Sequence, residues 1–107
     1  MTATPSVLLI ASDTIGERMA GSGIRYWNMA RVVGQQQPVT LATPSTVSLS
    51  APHGVTLVAY GGPGTSEDER GNRLAALVAE HDVVVAQHLP YLHADPDALA
   101  SRHIVVD

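Results

Sequence analysis

Residues 6–11 read SVLLIA and residues 82–86 read DVVVA. Neither run alternates between apolar and polar positions, so a strand built from either must be covered on both faces. That is the mark of a parallel sheet with helices on each side. Three further runs have the same character: PVTLA at 38–42, VTLVAY at 55–60 and HIVV at 103–106. Working outward from these strands, the intervening segments carry helical spacing. Between residues 24 and 35, Tyr26, Met29, Ala30 and Val33 fall on one side, while Arg25, Asn28 and Gln35 fall towards the other. A second helix is announced by Ser66 followed by Glu69, a capping box in which hydroxyl and carboxylate each take an orphan backbone N–H. Leu74, Leu77, Val78 and His81 form its inward stripe. A short third helix is expected from Asp95, with Pro96 in its first turn, to Ser101, held by Leu99.

This succession predicts an α/β fold of the Rossmann-like, doubly wound type: a mostly parallel five-stranded sheet in the order 3-2-1-4-5. Residues 43–54 (TPSTVSLSAPHG) carry no charge and no helical period, so the second crossover is expected to be an extended loop, with a hairpin-like antiparallel arrangement as the alternative.

Composition narrows the function. The 107 residues suit one domain, and 45% hydrophobic against 15% charged residues suits a packed core. All six basic residues are Arg, which removes the Walker A loop and every lysine base or Schiff base. There is no Cys, hence no thiol nucleophile, disulfide or thiolate zinc site. Ten acidic residues give a formal charge of −4, the wrong sign for a nucleic-acid binder. With no long apolar run and no signal-peptide pattern, the expected location is the cytoplasm.

In open α/β sheets, ligands bind beyond the carboxyl ends of the strands where the strand order reverses. In the order above, two loops frame that crevice. The first, SDTIGERMAGSGIR (12–25), places Gly21, Ser22 and Gly23 at a helix N-terminus, where backbone N–H groups and the dipole favour an anion. Arg25 is a candidate phosphate clamp and Asp13 a candidate for polar ligand groups. The plainer readings are a tight turn for the glycines, a solvated Arg25 and an Asx turn at Asp13. A dinucleotide fingerprint fails, because the position that needs its third glycine holds Tyr26.

The second loop, QHLPYLHADPD (87–97), puts His88 just past a buried strand, where it serves as an acid/base group or merely caps backbone. His88, His93 and Asp95 match no zinc spacing, so no metal is expected. His53 reads as a loop residue, His81 as a helix-end residue complementing the dipole and His103 as a strand start. Trp27 reads as packing. Neither G-x-S-x-G nor H-E-x-x-H occurs.

The segments VLLIASDTIGERMAGSGIRYWNMARVV, PVTLATP, HDVVVAQHLPYL and HIVVD, in that order, resemble the N-terminal domain of retaining glycosyltransferases of the GT-B fold, glycosyl transferase family four. The resemblance spans essentially the whole chain and is strongest over residues 6–33 and 82–107. It implies that residues 1–107 are a partial N-terminal, acceptor-side domain, with the donor-binding C-terminal domain absent. It further implies a longer parent enzyme that transfers a sugar from a nucleoside diphosphate to an acceptor with retention. The parent would be cytoplasmic, with a peripheral place at the inner membrane face also open to it.

On this resemblance Gly21, Ser22 and Gly23 approach the donor phosphate, with Arg25 beside them. Gln87 and His88 match the polar or His position after the fourth strand, His88 being the candidate catalytic residue. Asp107 stands where the family often has a His, while Asp13, Gln87 and Asp107 lie on the acceptor side. The expected partners are a sugar nucleotide and an acceptor, with no nucleic acid and no metal or other cofactor. The fragment alone is expected to be inactive and to self-associate through uncovered strand or helix surfaces. The rival expectation is a non-enzymatic, stand-alone Rossmann-like ligand-binding module.

Overall fold

A computed structural model describes residues 5–13, 15–16 and 21–86 together with the backbone of 103–106. The elements run β1 (Val7–Ile10), α1 (Gly21–Gly34), β2 (Val39–Thr43), β3 (Val55–Ala59), α2 (Glu67–Ala79), β4 (Val83–Ala86) and β5 (His103–Val106). The protein is α/β, and all four strand pairings are parallel. The strands stand side by side in the order β3-β2-β1-β4-β5. In register, Val7 lies opposite both Val39 and Val83.

Alternate residues of β1, β2 and β4 feed two separate cores, which explains why these runs do not alternate between apolar and polar positions. Val7, Leu9, Val39, Leu41 and Val55 point to the α1 side, where Tyr26 and Ala30 meet them. Leu8, Ile10, Ala42, Val84 and Ala86 point to the other face and pack against Leu74 and Val78 of α2. Burying one such side chain contributes about 1.5–3 kcal/mol, so the central strand β1, buried at all four positions, is the anchor of both layers.

The helix α1 begins at Gly21, not at Ile24 as the periodicity predicts, so Gly21, Ser22 and Gly23 form its first turn instead of a preceding loop. The apolar pattern starts only at Ile24, whereas the backbone coils earlier. Tyr26 and Ala30 are buried, and Met29, Val33 and Trp27 pack half-buried around them. In α2 the hydroxyl half of the capping box is formed, Ser66 Oγ accepting from the Glu69 N–H at 3.2 Å.

The link from β2 to β3 contains no helix, and β3 returns parallel, which removes the antiparallel alternative. Two features fix this crossover. Val47 packs into the α1-side core. At its end, Gly54 adopts φ 77° and lies hard against Gly34, so that a Cβ on Gly34 falls 2.7 Å from the His53 carbonyl oxygen. The expected helix at 95–101 lies outside the described residues.

Candidate functional site

The carboxyl edge of the sheet is built by β1, β2 and β3, whose ends are tied together. The Ala11 N–H donates to the Ala42 carbonyl at 2.9 Å, and the Tyr60 N–H donates to the Thr43 carbonyl at 2.9 Å. The Tyr60 hydroxyl crosses from the end of β3 to the end of β1 and donates to the buried Ala11 carbonyl at 2.7 Å. Two residues past Ala11 stands Asp13, exposed, and its Oδ2 accepts from Ser22 Oγ in the first turn of α1. The chain leaves β1 on one side towards β2, while β4 occupies the other side, so the strand order reverses beside this turn.

Of the residues singled out in the sequence, Asp13, Gly21, Ser22, Gly23 and Arg25 are therefore drawn to one place, the head of α1 at the carboxyl edge. Gly21 is exposed and a Cβ there meets no atom within 4 Å, whereas Gly23 is buried. Arg25 is exposed. Helix geometry gives the N–H groups of Gly21, Ser22 and Gly23 no acceptor inside α1. The Ser22 hydroxyl, by contrast, is already engaged by Asp13. This carboxylate supplies negative charge at the positive end of the helix, as an anion would. Gln87, His88 and Asp107 lie outside the described residues.

His81 does what its position predicts. Its Nδ1 lies 2.6 Å from the Leu77 carbonyl, which can only accept, so Nδ1 carries the proton. In the neutral ring Nε2 then accepts from Thr40 Oγ1 at 3.1 Å. These two residues join Ser6, Pro38 and Thr56 around a depression of about 200 Å³ at the amino edge of the sheet, away from the head of α1. The imidazole there is committed to holding the end of α2 to β2.

Two residues of the carboxyl edge carry weight that the sequence did not flag: Tyr60, which ties β3 to β1, and Arg70, whose guanidinium rests on Gly61. Both contacts are set by tertiary packing, and no local pattern announces them. Among the described residues, no three His, Cys, Asp or Glu side chains stand together to hold a metal, and no helix is long and apolar enough to cross a membrane. A scan of the chain against protein-family models and a search of curated proteins found no match.

Proposed function

We propose that residues 1–107 form the acceptor-side, N-terminal part of a retaining glycosyltransferase of the GT-B type. On this reading the five strands are the first half of a doubly wound nucleotide fold, and a second, donor-binding domain faces their carboxyl edge. The observation that carries the reading is the position of Gly21 and Ser22. They open a helix at the point where strand order reverses, and a Cβ placed on Gly21 meets no atom within 4 Å, so its backbone is open to approach. In the transfer, negative charge grows on the departing diphosphate oxygen, and preorganised N–H groups at a helix head stabilise it without reorganisation. His88 is assigned the acid/base role, Gln87 and Asp107 the acceptor side, and Arg25 the outer phosphate contact. No metal or other cofactor enters this scheme. The parent enzyme is assigned to the cytoplasm or the inner membrane face, and residues 1–107 on their own are expected to be inactive and to self-associate.

Calorimetric titration with a panel of nucleoside diphosphate sugars tests the reading. Because a side chain at position 21 meets only open space, Gly21→Val leaves the fold intact and blocks the ligand. Binding that is lost in this variant supports the assignment, and binding unchanged by it removes the helix head from the site.

A further inference from the structure

The second feature of the carboxyl edge lies at the end of β3. After Tyr60 the chain reads Gly61-Gly-Pro-Gly64 before the Ser66 cap of α2. Arg70, in the first turns of that helix and half-buried, turns its side chain back across Gly61. A Cβ placed on Gly61 falls 2.7 Å from the guanidinium carbon, 2.9 Å from Nη1 and 3.0 Å from Nε. The guanidinium therefore occupies the place where any other residue at position 61 would carry a side chain. Its position is tied to the rest of the edge, since Tyr60, adjacent to Gly61, is bonded to the end of β1 at Ala11.

We propose that Arg70, seated on Gly61, is an anchor for the carboxylate or phosphate of a small ligand at the carboxyl edge beside β3. A guanidinium offers a planar fork of donors that matches either oxyanion in two parallel bonds. Half-burial against backbone narrows the range open to the side chain, so less freedom is lost when a ligand arrives. The exposed Glu67, Asp68 and Glu69 of the same helix turn oppose an anion, but charge interactions between solvent-exposed groups are weak, while paired, charge-assisted bonds to Arg70 are short and strong. The acidic neighbours select against diffuse anion binding and favour a ligand that brings further contacts. The inference stands apart from the transferase reading; if both hold, the oxyanion belongs to the acceptor.

Amide NMR titrations of the 107-residue chain with inorganic phosphate and with acetate test this, using chloride at matched ionic strength as the control. Phosphate is expected to shift the amides of residues 61–70, with an affinity weakened about tenfold or more in Arg70→Gln. Gly61→Ala is the sharper variant. It keeps the arginine and changes only its seat, and the fold survives because the atoms displaced are the far end of a flexible side chain. It is expected to weaken binding as well, with an unchanged circular dichroism spectrum. A response to both anions indicates general oxyanion recognition, and a response to phosphate alone assigns the site to phosphate; either supports the proposal. Shifts reproduced by chloride, shifts retained in Arg70→Gln, or no shift in residues 61–70 would overturn it. Responses at residues 21–25 to a nucleoside diphosphate report separately on the helix head.

Discussion

The Asp82 side chain and Ser6 hold each other in both directions across the sheet. Asp82 Oδ2 accepts from the Ser6 backbone N–H at 3.1 Å and from Ser6 Oγ at 3.3 Å. In return, the Asp82 N–H donates to Ser6 Oγ at 3.1 Å and to the Ser6 carbonyl at 3.0 Å. This clasp sets where β1 and β4 begin. Asp82 reads in the sequence as the first residue of a strand, but its groups are spent on Ser6 and the ladder starts at Val83. Asp82→Ala is expected to lower stability by about 1 kcal/mol, because it removes charge-assisted bonds at an exposed position. Urea unfolding of the variant measures the loss. A midpoint equal to wild type would show that the clasp contributes nothing.

Gly34 and Gly54 pack backbone against backbone. At Gly54 a side chain is opposed twice, by its positive φ and by the Gly34 carbonyl. Gly54→Ala is expected to destabilise by about 2–5 kcal/mol, the sum of left-handed strain and overpacking. Gly21→Ala, facing open space at the start of α1, is the control and should change stability by less than about 1 kcal/mol. Thermal unfolding of the pair checks the contrast, and equal effects would mean that the crossover packs differently.

The Tyr60 hydroxyl is buried on the Ala11 carbonyl. Tyr60→Phe leaves that carbonyl without its donor and is expected to reduce stability by about 1–3 kcal/mol. Hydrogen exchange at the ends of β1 and β3 should quicken more than at β4. Uniform exchange across the sheet would contradict a local tie.

Asp13 places a carboxylate at the site proposed for a diphosphate. Asp13→Asn keeps an acceptor for Ser22 and removes the charge. It is expected to lower stability by about 0.3–1 kcal/mol through the lost helix-end interaction. It should also tighten nucleoside diphosphate binding about fivefold, the equivalent of about 1 kcal/mol of Coulomb repulsion in water at contact distance. Calorimetry and a denaturation curve on one preparation read both effects. Weaker binding in the variant would instead make Asp13 a ligand-holding group.

The parts of this fold legible in the sequence are those set by local pattern. Uninterrupted Val, Leu and Ile runs announce buried parallel strands because β1 and β4 each feed two cores, and Ser66 with Glu69 marks the start of α2 to the residue. The head of α1 lies three residues ahead of the apolar period, because Gly21-Ser22-Gly23 has poor helix propensity and no apolar period while its hydroxyl is held by Asp13 from outside the helix. Residues 44–54 were readable as lacking a helix. Their parallel course follows from the doubly wound plan, although the residues of the link themselves leave an antiparallel arrangement open. The ties Ser6–Asp82, Tyr60–Ala11 and Arg70–Gly61 join chemistry to geometry through contacts that exist only once the chain is folded. At the site, the sequence pointed to Asp13 and to residues 21–25, and the fold brings these together. It gave no hint of Tyr60 or Arg70.

The central claim is that the first turn of α1 meets a negatively charged diphosphate at the carboxyl edge of the sheet. Amide NMR of the chain titrated with a nucleoside diphosphate tests it most directly. The account predicts the largest shifts at Gly21, Ser22, Gly23 and Ile24, with His81 and Thr40 at the opposite edge unmoved. Shifts centred on His81 and Thr40, or none at the head of α1, would contradict it.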